Sequence, residues 1–458
     1  MFSTYPKMKE SGVEWLGEIP TDWMPFRLGM LGVFSASGID KKIVEGESLV
    51  QMVNYTDVYG SVTKELAPRA GFMIVSCPEE KVREHGLAVG DILFTPSSET
   101  ADDIAYSAVV VKDMPNTVYS YHLIRFRPKA DIAVGYRKYI CNNRFVLSQF
   151  TRACKGTTRQ ILVRDDFKNV VAVIPPSAEQ EAIASFLDRK TALIDDLIAK
   201  RERQIGLLQE HRSAIISQAV TKGLNPDAPM KDSGVEWLGE VPEHWDIAAV
   251  RRYAKRVQTG STPPTYEERY YEDGTIPWFG PGSFDDMIEV KRPIKKIHES
   301  AVSEGVARIF SAGATLIVTI GATLGKVSSL TEASSCNQQI TVIEFDPRNV
   351  YPRFATYQIK RLEPVLRAIA PRATLPILDQ GEIADIILGL PEISEQQAIA
   401  SFLDNETAKI DTFVTKVQQS IEKLREYRES LISVAVTGKI GVRNWQPSSD
   451  PAEESIHV

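Results

Sequence analysis

The sequence predicts an internally duplicated α+β fold, with two mixed α/β, strand-rich domains held apart by an antiparallel pair of long helices about a pseudo-two-fold axis. Three observations carry this expectation. The phrase "SGVEWLGEIP" at 11–20 returns as "SGVEWLGEVP" at 233–242. A longer segment that opens "EQEAIASFLD" at Glu179 returns as "EQQAIASFLD" at Glu395. The stretches between them share almost no wording, yet both carry short β-rich runs such as "GDILF", "AVVV", "TLIVTI" and "QQITVIEF", cut by Gly, Ser, Thr and Pro turns.

These repeats divide the chain into an N-terminal clasp segment (1–23), a first variable domain (24–175) and a first spacer helix (176–224). A linker with a second clasp (225–245), a second variable domain (246–391), a second spacer helix (392–440) and a disordered tail (441–458) follow. The repeated segments are helical on periodicity. Ile183, Phe186, Leu187, Ile194, Leu197, Ile198, Ile205, Leu208, Ile215 and Ala219 form one apolar stripe. Ile399, Phe402, Leu403, Ile410, Phe413, Val417, Ile421, Leu424, Leu431 and Ala435 form its counterpart. Ser177 with Gln180, and Ser394 with Gln397, have capping-box spacing, and Gly223 and Gly438 stand where a helix stops.

A helix of roughly 60 Å with a single greasy face is marginal alone, so the two stripes are expected to pack together as a coiled coil. Connectivity makes the pair antiparallel. Symmetry then places the first copy of the phrase near the end of the second helix, with Trp15, Leu16 and Trp23 as apolar anchors and Trp237, Leu238 and Trp245 as their equivalents.

Composition excludes several function classes. The chain of 458 residues has a net charge of −7 and contains no long apolar run or signal-like N-terminus, so the expectation is a cytoplasmic protein without a membrane partner. Cys77, Cys141, Cys154 and Cys336 are scattered, which suits reduced structural thiols. No metal site is expected, because His85, His122, His211, His244, His298 and His457 show no ligand spacing. "GATLGKV" from Gly321 is one residue too short between its glycines for a phosphate loop, and Val327 stands where a magnesium-holding hydroxyl is needed. With no cofactor loop and no convincing carboxylate cluster, no catalytic residue is expected and the chain reads as a non-enzyme that binds no cofactor itself.

Local charge tells more than the sum. Between Arg125 and Lys168 basic residues far outnumber acids, a footprint suited to a phosphate backbone. Within and beside it, Ser97, Ser98, Thr100, Arg152, Lys155, Thr157, Thr158 and Arg159 offer hydroxyl and cationic groups. In the second half Thr259, Ser261, Thr262, Lys326, Asn337, Gln338, Gln339 and Arg372 do the same, the amides being suited to adenine edges. "GTTRQIL" at 156–162 lines up loosely with "RATLPIL" at 372–378.

The duplicated phrase, the "IPP...EQEAIASFLD" and "LPEISEQQAIASFLD" helix openings, the "GDILF" strand and the "IGATLGK...NQQI" run together resemble the specificity subunit of type I restriction-modification enzymes. The resemblance implies that each variable stretch is a target recognition domain gripping one half of an asymmetric bipartite site on double-stranded DNA, and that the helices fix the gap. It also implies two modification (methyltransferase) subunits as partners and, through them, restriction/translocase subunits, which use S-adenosylmethionine, ATP and Mg2+. A coiled-coil scaffold joining two protein-binding modules, without contact to DNA, is the alternative that the residues alone leave open.

Overall fold

The computed structural model describes residues 4–369 and 376–446. The chain forms two compact units, one built from the chain up to Glu202 together with the chain from Gln418 onward, the other from Arg203–Val417. Both long helices, Ser177–Lys222 and Ile393–Val436, are therefore divided between the units, 177–202 and 418–436 belonging to the first and 203–222 and 393–417 to the second.

In the first unit, a five-stranded sheet has the order Gly32–Ala36, Ile124–Pro128, Ile92–Phe94, Ser107–Val110, Glu65–Leu66. A three-stranded sheet (Thr117–Tyr119, Ser48–Val53, Met73–Cys77) shares a core with it through Val53, Tyr119, Leu93 and Ala108. Phe34, Phe94, Phe126, Phe150 and Phe167 fill the centre, and Phe34 stacks on Phe126 with centroids 4.5 Å apart. The second unit has a four-stranded antiparallel sheet (Ala254–Thr259, Ile340–Phe345, Thr315–Val318, Val327–Ser329) and a three-stranded one (Lys295–Ile297, Ile276–Phe279, Ser335–Cys336). Alternate β-branched residues suit these buried strands.

In both units the strand that opens the variable domain pairs with the strand that closes it. Met24–Arg27 runs antiparallel to Val171–Ile174, and Asp246–Ala249 to Ile387–Leu390. Each variable domain thus begins and ends at one two-stranded ribbon, beside the start of a long helix.

The long helices run antiparallel within each unit. In the first, Arg428 binds Asp195 at 2.8 and 3.2 Å while Arg425 reaches Glu202 at 3.2 Å, so one number rises as the other falls. Ile194, Leu424, Leu431 and Ala435 share the core there. In the second unit Ile216, Ala219 and Val220 share a core with Ile399 and Leu403, and Arg212 faces Asp411 at 3.3 Å. The apolar stripe has two exceptions, Phe402 (39% exposed) and Phe413 (59% exposed), which stand outside the packed face.

The capping-box expectation fails in both helices. Pro176 O accepts from the Glu179 and Gln180 amides, and the Gln180 side chain donates to Pro175 O at 2.9 Å and accepts from the Ala133 amide at 2.8 Å. In the second helix Gln396 takes this role, bonding Pro391 O, Asn349 O and the Tyr351 amide. The glutamine that would close a capping box on Ser177 is used to tie the variable domain to the helix. The stops are as expected: Gly223 and Gly438 adopt φ of 72° and 70°, a region that disfavours side chains.

Each phrase is a small hairpin, Met8–Glu10 with Glu18–Pro20 and Met230–Asp232 with Glu240–Pro242. Leu16, Trp23, Leu238 and Trp245 are buried, while Trp15 stacks on Phe145. The first copy sits at the end of the second helix: Lys439 Nζ donates to Leu16 O at 3.0 Å, and a Cβ on Gly438 would meet the Pro20 ring at 2.3 Å. The tail expected to be disordered from 441 is packed at its start. Val442 is buried, Trp445 meets Phe186 edge-on at 5.2 Å, and Arg443 bonds Glu179, which pins the segment in place.

Candidate nucleic-acid interface

The first loop set is assembled around a hairpin. Lys155 and Ile161 exchange backbone bonds at 3.1 and 2.9 Å, leaving Thr157, Thr158 and Arg159 exposed at the tip. Gly156 makes the turn possible, since its φ is 136° and a Cβ there would overlap Arg159 O. The hairpin's outgoing strand pairs with the expected serines, Gln160 opposite Ser98 and Ile161 opposite Ser97. Ser97, Lys155, Thr157, Thr158 and Arg159, separated by some sixty positions in sequence, therefore share one surface, with Ser98 beneath it. Thr100 is exposed at the following turn, whereas the Ser98 hydroxyl is buried and accepts from the Thr100 amide at 3.4 Å.

Beside this hairpin lies an open pocket of about 480 Å³, bordered by Ser97, Tyr121, His122 and Arg159. Tyr121 is 47% exposed and its ring lies 3.8 Å from that of His122. Burial first, then the nearby charges of Lys41 and Arg159, hold the His122 pKa below its ordinary value, so the ring is neutral near pH 7. The aromatic pair "YH" in a turn before a strand was its only sequence signal.

Arg152 belongs elsewhere. It lines a larger cleft of about 740 Å³ between the first variable domain and the long helices, with Lys64, Asp188 and Arg428. The basic stretch is also less available than its charge count suggests. Arg125 bonds Gly86 O and Glu84 O, Arg127 grips Asp91, Arg137 bonds Ile132 O and Gly90 O, and Lys138 joins Asp188 at 2.7 Å. Four cations of the run are thus spent on the domain's own frame, while Arg144, Arg152, Lys155, Arg159 and Arg164 are exposed.

In the second unit the structure brings together Thr259, Ser261 and Thr262 with Asn337, Gln338 and Gln339. The Ser261 amide bonds Cys336 O at 2.8 Å, Gly260 bonds Ile340 O at 3.0 Å, and Thr262 donates its hydroxyl to Gln338 Oε1 at 2.5 Å. Asn337 turns inward: it is buried, its amide donates to Gln339 Oε1 at 3.0 Å and its oxygen accepts the Gln339 amide at 3.1 Å. Gln338 is the exposed member of the trio. Arg308, which the sequence did not single out, braces the loop by donating to Thr259 O and Gly260 O at 2.9 and 3.0 Å. Lys326 is set apart, 3.5 Å from Asp286, and Arg372 lies outside the described residues.

One contact relates the two loop sets. Leu162 N donates to Pro96 O at 2.8 Å, and Leu378 N donates to Thr319 O at 2.9 Å; Ile161 pairs with Ser97 as Ile377 bridges to Ile320. Within the loose alignment of 156–162 with 372–378, Ile161 and Leu162 thus make the same kind of contact as Ile377 and Leu378, and positions 372–375 lie outside the described residues.

A duplicated frame that carries two unlike loop sets at equivalent places defines a bearer of two different recognition surfaces. The chain belongs to the family described as the type I restriction modification DNA specificity domain, which it matches at residues 20–207 and 253–423. It is 22% identical over 442 residues to the MjaX specificity subunit assigned to a type I restriction enzyme of Methanocaldococcus jannaschii, covering 93% of this chain and 96% of that one. It is 24% identical over 258 residues to the EcoR124I/EcoR124II specificity subunit of Escherichia coli, covering 55% and 56%. A chain solved in work on assembly and conformational transition of the type I restriction-modification system has the same fold, with a TM-score of 0.69 at 16% identity, covering 92% of this chain and 99% of that one.

Proposed function

We propose that this chain is the non-catalytic DNA-specificity subunit of a type I restriction-modification complex, in which the two variable domains act as target recognition domains for the unlike halves of a bipartite site. The observation that carries this reading is a shared frame under unlike loops: Ile161 pairs with Ser97 as Ile377 bridges to Ile320, and Leu162 and Leu378 donate to Pro96 O and Thr319 O, while the loops around them carry different side chains. Arg159, Lys155, Thr157 and Thr158 serve the first half-site, with Ser97, Tyr121 and His122 at its base. Gln338, Thr262 and Ser261 serve the second. Exposed cations hold phosphates and give salt-sensitive affinity, while each good bidentate base contact discriminates by about 1–3 kcal/mol.

Two modification subunits and, through them, restriction/translocase subunits complete the assembly, and the chemistry that uses S-adenosylmethionine, ATP and Mg2+ resides on those partners. Helices of 46 and 44 residues set the unread gap between half-sites. Methylation mapping of host DNA with and without this chain tests the assignment. A bipartite methylated motif that disappears with the chain is expected, and a motif unchanged by its removal refutes it. Removing about four residues, roughly one turn, from both helices is expected to alter the gap and spare both half-sites.

A further inference from the structure

Four cations in six residues, Lys291, Arg292, Lys295 and Lys296, flank an exposed isoleucine in the second unit. Ile294 is 54% exposed, and it is not the anchor of its own segment, because Ile297 three residues later is fully buried. Its place is fixed by the strand Ile276–Phe279, to which three segments are tied. The Ile294 amide donates to Trp278 O at 3.1 Å, the Trp278 indole donates to Ser261 O at 3.0 Å, and the Asn337 amide donates to Phe279 O at 2.9 Å. A Cβ on Gly280, the next residue of that strand's path, would overlap the Ile294 side chain and stand 3.6 Å from the Asn337 amide nitrogen. The isoleucine thus lies on a glycine floor beside the turn that presents Gln338. Lys295 is braced next to it, its ammonium 3.8 Å from the centre of the Tyr271 ring.

We infer that Ile294 reads a thymine methyl group in the half-site served by Gln338. The flanking cations select this kind of partner. Covering Ile294 with an apolar protein surface would strip water from four positive charges, whereas duplex DNA sets phosphates beside the cations and a methyl group in the groove between them. Thymine alone carries a methyl on its major-groove edge, and the same A·T pair offers the adenine edge that suits an amide such as that of Gln338. One exposed apolar side chain and one exposed amide, tied to the same short strand, therefore match the two edges of one kind of base pair. This inference rests on the DNA-reading proposal and adds to it the base that the second domain reads by apolar contact.

The probe is a duplex carrying the bipartite motif that methylation mapping supplies, with each thymine of the second half-site replaced in turn by uracil, which lacks only the methyl. Binding is measured by competition, with the chain assembled with its modification subunits. At one position uracil should weaken binding about three- to fivefold. Ile294→Ala should weaken binding of the thymine duplex by the same factor and be indifferent to uracil at that position. Uracil penalties in the first half-site should stay as in the wild type, which shows that the variant is folded and assembled. A second half-site without an A·T pair, the absence of any uracil penalty in it, or a penalty of equal size in Ile294→Ala overturns the inference. Mapping that gives no bipartite motif overturns the DNA-reading proposal with it, whereas a bipartite motif without an isoleucine-dependent penalty sinks the thymine contact alone.

Discussion

The joints at which the two units grip their helices use the same letters and differ in what surrounds them. In the first, the Trp23 indole donates to Glu179 at 2.7 Å, Arg443 completes the carboxylate, and Tyr5 lies beneath the guanidinium at 5.1 Å. In the second, Trp245 donates to Glu395 at 3.2 Å and His244 replaces the arginine, while Asp227 stands at the repeat position of Tyr5. Glu179 is 4% exposed and enclosed by groups from both chain extremes; Glu395 is partly open. A duplication that preserves the residue contacting the helix can thus still produce one closed joint and one open one, because the covalent path differs. Where the chain passes directly from helix to phrase, the backbone holds the joint. Where it does not, side chains must.

The largest effect expected from this difference is at the two helix-stop glycines. Alanine at either must adopt a left-handed backbone, costing about 1–2 kcal/mol. At Gly438 the new methyl also strikes the Pro20 ring, whereas at Gly223 the nearest atom is a Glu395 oxygen at 3.2 Å. Hydrogen exchange should therefore show Gly438→Ala loosening the first unit by about 3–4 kcal/mol and Gly223→Ala loosening the second by about 1–2 kcal/mol. Next in size, Trp445→Ala should cost about 2 kcal/mol by uncovering Phe186, whereas Phe402→Ala should change stability by less than about 0.5 kcal/mol.

The same joint predicts a pH dependence. Burial works to raise the Glu179 pKa, but bonds from Arg443 and Trp23 outweigh it and hold the carboxyl below its ordinary value. A depressed carboxyl stabilises the fold above its unfolded pKa of about 4.3, and that contribution is lost as pH falls further through the folded value. Urea midpoints between about pH 5 and 3 should fall more steeply for the wild type than for Glu179→Gln, and the gap between them should narrow with acid.

At the loops, Arg159→Ala should blur methylation at the first half-site only and Gln338→Ala at the second only, each by about 1–2 kcal/mol of discrimination in competition assays. Loss at both half-sites from either variant would break the pairing of loop sets with half-sites. The smallest effect is reserved for Arg425→Ala on the exposed helix face, less than about 0.5 kcal/mol in thermal denaturation.

The duplication, the long helices and their antiparallel sense were legible because apolar periodicity and repeated wording survive in single letters. The errors share a cause. Phe402 and Phe413 fit the helical period, yet period says nothing of whether a partner surface reaches that far around the helix. Gln180 has capping-box spacing, but the tertiary bond to Ala133 claims it. Counting charges between Arg125 and Lys168 could not reveal that Arg127 and Lys138 face carboxylates from distant strands and helices. Tyr121 and His122 were missed because their pocket is assembled from residues spread between Ala36 and Arg164. Asn337 was credited with an outward amide that its own turn consumes.

Lys439 and the carbonyl of Leu16 are partners across 423 residues. A ribosome makes the opening phrase first, yet the groups that hold it arrive only after the whole second unit has been translated. During synthesis Trp23 and Glu179 can meet, but Arg443 and the Gly438 turn cannot yet join them. A segment made before the second unit is consequently finished only after it, and truncation by a stalled ribosome would leave the first unit ajar while the second is already shut.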